Sequence, residues 1–173
     1  RNQSIELFEK NLDVQDRATV DDCLGMSGGK FESTVGKIFE KMGYEVIQTP
    51  HTGDQGADLI LTKNGEKTVV QTKRWKNNIT NDSVQEVLGA KEMYDAMHGI
   101  VVGSSSFAKS AVTLAKKAGI QLIDRNKLKT LLNEYPITLQ KNSNSISDIT
   151  AEDIYLDYVD YKKIIREIMQ EFL

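Results

Sequence analysis

The chain has 173 residues, 39% hydrophobic and 27% charged, with two prolines, one cysteine and a net charge of -3. Length and composition predict one globular domain with a modest appendage, able to bury roughly 70% of the surface it exposes unfolded, so no structural metal is needed. The single Cys23 excludes a disulfide framework and a CxxC zinc site. No apolar run reaches the roughly 20 residues of a membrane span and the start lacks a signal-peptide pattern, so the expectation is a soluble, cytoplasmic piece.

Residues 1–27 are acidic with scattered apolar positions and read as an arm or a short helix. From Lys30, Phe31, Val35, Ile38, Phe39 and Met42 recur at helical spacing until Gly43. Residues 44–49 alternate as a strand, 50–56 form a turn, and 57–62 make an apolar run short enough for a buried strand. Asn64-Gly65 is a hairpin signal, and 68–71 continue as a strand antiparallel to the one before. A second helix capped by Asn81 or Asp82 runs to about Met97, with Val84, Val87, Leu88 and Tyr94 on its stripe. A strand at 99–102 follows, then a helix at 107–118 capped by Ser104-Ser105-Ser106 and closed by Gly119, a strand at 120–123 and a helix at 126–134.

The order αβββαβ with a trailing αβα predicts an α/β fold, a mixed central sheet flanked by helices. The domain is expected over 28–136, a polar linker over 137–149, and an amphipathic C-terminal helix over 150–173, where Ile154, Tyr158, Tyr161, Ile165, Ile168 and Phe172 keep helical spacing. The chain begins at an arginine rather than a methionine, which leaves room for a longer parent protein with a further domain or a span.

Charge is segregated. Residues 1–22 and 148–173 are both acidic, so the middle carries a surplus of four positive charges, and residues 63–76 hold five basic groups against Glu66 alone. A phosphate backbone would feel that surplus, although a solvated strand and loop explains it too.

The hairpin brings Asp58, at the start of the second strand, to the same edge as Gln71-Thr72-Lys73 at the end of the third. Carboxylate oxygens of Asp58 suit magnesium. Gln71 and Lys73, two apart on a strand, share a face. There Gln71 could supply a carbonyl oxygen or hold a water, and Lys73 could orient or deprotonate an attacking water and stabilise charge on phosphate. Thr72 faces away, with its carbonyl available to turn toward a metal. An EF-hand starting at Asp54 fails because its twelfth position is Gly65, and His51 and His98 lack companions at metal-ligand spacing.

Phe31-Glu32 on the first helix, Gly43-Tyr44, Gly53-Asp54-Gln55-Gly56-Ala57-Asp58 and Val70-Gln71-Thr72-Lys73-Arg74-Trp75 together resemble the Mrr-type restriction endonuclease domain. That is a branch of the PD-(D/E)xK nuclease superfamily. The resemblance continues through Gly99-Ile100-Val101-Val102, Ser106-Phe107 and Ile120-Gln121-Leu122-Ile123-Asp124, covering about 28–134. It implies a restriction-endonuclease-like αβββαβ core and a magnesium-dependent DNA endonuclease, with manganese as a substitute metal. Asp58 matches the metal-binding aspartate and Lys73 the catalytic lysine. Gln71 stands where most of the superfamily has a second acid, and Glu32 matches an acid that reaches the metal from the side. The glutamine removes one negative charge, so one metal suits the site better than two; Glu32 and Asp54 would make up the deficit. Against these roles stand blander ones: Glu32 as a first-turn acid complementing the helix dipole, Asp54 as a turn residue or outer support.

Arg74, Trp75 and Lys76 would extend the edge toward DNA with two cations and a stacking surface, unless Trp75 caps the core. Ser105 and Ser106, with Lys109, would receive a phosphate at a helix N-terminus. Gln85 would face the site from the second helix. The resemblance implies double-stranded DNA as partner. A homodimer or a missing specificity domain would supply sequence selection. The rival readings are a structure-selective nuclease of the Holliday-junction-resolvase type and a DNA-binding module whose nuclease site has decayed.

Overall fold

Thr19 opens the first helix: its hydroxyl accepts from the Asp22 N–H while the Asp22 carboxylate accepts from the Thr19 N–H, a reciprocal box at the N-terminus of α1 (Val20–Gly25). The computed structural model describes residues 17–50 and 56–139, all within the first of the chain's two units, Arg1–Leu139. Asp54, His51, most of the expected linker and the whole expected helix 150–173 lie outside the described residues. Ser27 caps α2 (Gly28–Lys41), which therefore starts ahead of the apolar spacing that announces it. Strands β1 (Glu45–Gln48), β2 (Leu59–Lys63) and β3 (Glu66–Lys73) follow, then α3 (Asn81–Met93), β4 (His98–Gly103), α4 (Lys109–Ala118), β5 (Gln121–Ile123) and α5 (Arg125–Glu134).

The five strands stand side by side in sequence order. β1 with β2 and β2 with β3 are antiparallel, whereas β3 with β4 and β4 with β5 are parallel, which the helical crossovers α3 and α4 require. This is the mixed α/β sheet that the order of elements predicts. The Asn64–Gly65 turn holds both residues at positive φ, as a two-residue hairpin demands, and sets Leu59 opposite Val70.

Alternation along the strands divides the interior. Leu59, Leu61, Val70 and Val102 point to the face covered by Val20, Cys23, Phe31, Val35, Ile38 and Leu128 from α1, α2 and α5. Val69 and Val101 point to the opposite face, against Val84, Val87, Ala90, Ala111 and Ala115 of α3 and α4. Gln71 and Lys73 keep the parity of Val69, so the sheet aims both toward α3. Burial raises the Cys23 thiol from 9.0 to about 11, with Asp22 adding to the effect, so Cys23 is a protonated core group and no nucleophile.

Four boundaries differ from expectation. α3 ends at Met93 because Asp95 turns to positive φ and the Met97 N–H donates to the Lys67 carbonyl instead of continuing the helix. Its N-cap is Thr80, one residue ahead of Asn81. The folded body reaches past Gly28 at one end and past Pro136 at the other: Ala18 and Ile137 are buried, the Ala18 N–H donates to the Ile137 carbonyl at 2.7 Å, and Arg17 bridges Thr138.

Gly56 sits at φ +82, and a Cβ there would lie 2.7 Å from the Glu86 carbonyl oxygen. The segment leading to Asp58 is thereby laid against α3. Gly56→Ala is expected to lower stability by roughly 1–3 kcal/mol, combining left-handed strain with a backbone clash. A urea midpoint falling while the slope holds checks this.

Candidate active site

Asp58 is clamped by its main chain before its side chain does anything. Its N–H donates to the Val70 carbonyl at 2.8 Å, and its carbonyl accepts from the Thr49 N–H at 2.9 Å, so it is tied to the chain on both sides. Its carboxylate Oδ2 accepts from the Thr72 N–H at 2.6 Å and from the Thr72 hydroxyl at 2.9 Å. Thr72 leaves the strand face that carries Gln71 and Lys73, as alternation requires, yet its hydroxyl reaches the aspartate. Two donors on one oxygen fix the carboxylate in place. Asp58, Gln71 and Thr72 are all buried.

Gln71 is 6% exposed, and its Oε1 is buried with no hydrogen-bond partner. A buried amide oxygen without a donor is costly in a finished protein, and it marks a place where a cation or a water completes the coordination. Among the described residues no three His, Cys, Asp or Glu side chains converge to hold a metal. Among the described side chains an ion at this edge would therefore take Asp58 with at most one further carboxylate, besides amide, hydroxyl or main-chain oxygens, and a hard divalent cation such as magnesium accepts such a set. The residues present fit that group.

Lys73 extends from the same face, its side chain one-fifth exposed, with Nζ 2.7 Å from Glu86 Oε2 on α3. Gln85, the expected neighbour from this helix, is exposed, and Glu86 is the residue whose carboxylate meets Lys73. The signal for Glu86 was present in the sequence, since it lies three residues after the buried Ser83 and four before the buried Ala90, on the edge of the helical stripe.

Glu32 is the fifth residue of α2, beyond its first turn, so the helix-dipole role does not apply. Its Oε2 accepts from Gln48 Nε2 at 3.2 Å, which pins it at the end of β1, one residue before the Thr49 that holds Asp58. The edge beyond Lys73 is exposed: Arg74 donates to the Leu24 carbonyl at 3.4 Å, Lys76 faces solvent, and Trp75 is 49% exposed and outside both apolar clusters, so it does not cap the core.

The serine run has a different task from the expected cap. α4 begins at Lys109 with Ala108 as its N-cap and no side-chain cap bond. Ser104 and Ser105 are buried, and their hydroxyls donate to the Trp75 carbonyl at 3.0 Å and to the Asn77 carbonyl. The Ser106 carbonyl accepts from the Ile79 N–H at 2.9 Å. These bonds staple the loop after β3 onto the loop after β4, holding the exposed Arg74-Trp75-Lys76 segment at the site's rim. Ser105 is thereby committed, while Ser106 and Lys109 remain at the surface.

A crystallised protein of unknown function, AF1548, is similar to the chain in fold, with TM-score 0.55 and 18% identity over 68% of this chain and 73% of that one. The MspJI restriction endonuclease in complex with a 27-mer oligonucleotide aligns at TM-score 0.46 and 17% identity over 59% of this chain. VC1899 from Vibrio cholerae aligns at 0.45 and 15% over 62%. The chain spans 27% and 32% of those two proteins. No curated protein matches the sequence. The family model for the restriction endonuclease catalytic domain, Mrr_cat, matches residues 23–132, which contain every described side chain of the edge around Asp58, and the chain therefore belongs to the restriction endonuclease family.

Proposed function

We propose that the chain is a metal-dependent DNA endonuclease of Mrr type, hydrolysing phosphodiester bonds at the edge formed by Asp58, Gln71 and Lys73. The observation that carries this reading is the buried, unpartnered Gln71 Oε1 beside a carboxylate fixed by two donors. Asp58 and Gln71 would hold magnesium or manganese, with Glu32 and the Thr72 carbonyl as further oxygens. Bound there, a divalent cation supplies Lewis-acid polarisation of a phosphate oxygen and makes water a better nucleophile near neutral pH.

The protein's own groups do the rest. Thr72 holds Asp58 in one rotamer, so no reorganisation is needed when the substrate arrives. Lys73 orients the attacking water and places a positive charge where the oxygens of the pentacoordinate transition state gather negative charge. Arg74 and Lys76 meet phosphates on the duplex, Trp75 offers a ring for stacking, and Ser106 with Lys109 adds a polar contact beside them. Sequence selection rests with a further domain or a second copy of the chain, and the protein works in the cytoplasm. No helix among the described residues is long and apolar enough to cross a membrane.

The test is plasmid cleavage with magnesium, manganese or a chelator, on methylated and unmethylated DNA. Cutting or nicking that the chelator abolishes is the expected result. A protein that shifts DNA without cutting it in either metal overturns the reading in favour of a binding module, and preference for four-way junctions over linear duplex overturns the restriction type.

A further inference from the structure

α3 touches the site twice at one residue. Glu86 Oε2 lies 2.7 Å from Lys73 Nζ, and the Glu86 main chain is the surface against which Gly56 packs, two residues before Asp58. The helix is therefore the wall of the edge on which Gln71 and Lys73 project. The pair is half sheltered, with side-chain exposures of 20% for Lys73 and 40% for Glu86, which weakens solvent screening on the lysine side. A lysine ammonium rides on a flexible four-carbon stem and samples many positions unless something holds it. An acid in its first contact sphere does so. The strand itself provides none, because the position two residues before Lys73 is the uncharged Gln71.

We propose that Glu86 is a positioning residue for Lys73: from α3 it supplies the negative charge that Gln71 leaves out of β3 and holds the ammonium over the Asp58 edge. This deepens the nuclease reading and rests on it. Glu86 then acts through Lys73, touching neither the substrate nor the metal, and its effect vanishes once Lys73 is gone. Misplacing a catalytic group by about 1 Å costs roughly 100-fold in rate, which sets the size to look for.

The test compares Glu86→Gln, Glu86→Asp, Lys73→Met and the Lys73→Met/Glu86→Gln pair in plasmid cleavage, with calcium binding measured by calorimetry. Glu86→Gln is expected to lower kcat roughly 100-fold with KM and calcium affinity unchanged. Glu86→Asp recovers part of the loss, and the double variant is no slower than Lys73→Met. Wild-type rate in Glu86→Gln overturns the proposal. So does weakened calcium binding, or a double variant slower than Lys73→Met, because Glu86 then acts without the lysine. A loss that follows a lowered Tm, with no recovery in Glu86→Asp, overturns it as mere fold support.

A second readout is independent of cleavage. In lysine-labelled protein the Lys73 side-chain Cε resonance, assigned by its loss in Lys73→Met, is expected to stand apart from exposed lysines and to join them in Glu86→Gln. If the wild type leaves DNA intact and this signal moves as stated, the nuclease reading fails while the positioning of Lys73 by Glu86 stands. If DNA is cut and the signal ignores Glu86→Gln, the positioning fails while the nuclease reading stands.

Discussion

Asp58→Asn is expected to reduce DNA cleavage by about 1000-fold while leaving the fold in place, a loss of the size seen when one electrostatic element of a preorganised site is removed. The asparagine keeps an oxygen for the Thr72 N–H and hydroxyl, which donate to Asp58 Oδ2 at 2.6 and 2.9 Å, so the local bonding survives and only the charge goes. Asp58→Ala separates the two roles. It removes the same charge and also strands a buried N–H and hydroxyl, which costs about 1–3 kcal/mol in addition. Cleavage rates set beside thermal melts check both: equal losses of activity with unequal Tm are the expected pattern. An Asp58→Asn protein that still cuts would remove Asp58 from the chemistry.

Lys73→Met carries the second large effect, roughly 100- to 1000-fold in kcat. Methionine preserves the unbranched apolar stem, and Glu86, already 40% exposed, can turn its carboxylate to water when its partner is gone. Stability should therefore change by about 1 kcal/mol or less, as expected when a half-sheltered ion pair is lost and its acid can turn to solvent. Filter binding and single-turnover cleavage on the same duplex distinguish the outcomes. Retained DNA affinity with slow cleavage marks Lys73 as acting on the transition state, whereas a parallel loss of affinity would reduce it to a phosphate contact.

The architecture was legible because its punctuation is local. Asn64-Gly65 dictates a tight hairpin by backbone conformation alone, and Gly119 ends α4 in the left-handed region as a helix stop should. From those marks the three-strand run and the two crossovers follow, and with them the meeting of Asp58 and Lys73 at one edge. What escaped was set by contacts between distant segments. Ser104–Ser106 carry the composition of a helix cap, but the Ser104 and Ser105 hydroxyls find carbonyls some 28 residues earlier, and the helix starts later without them. Sequence spacing points to Gln85 rather than Glu86 because a stripe position fixes a side chain to within one residue only when the partner surface is known. That surface includes the Gly56 backbone, which composition cannot place. Thr72 shows the same limit from the other direction: alternation puts it on the far face, and a short hydroxyl still reaches the carboxylate because Asp58 sits just ahead of its strand.

The bridge between Arg17 and Thr138 makes the described body a closed loop of chain, whose way in and way out lie within one hydrogen bond of each other. Such a body can be spliced into a host protein at a single surface position, or have its ends joined and be reopened at the Asn64–Gly65 tip, without pulling the strands that carry Asp58 and Lys73 out of register.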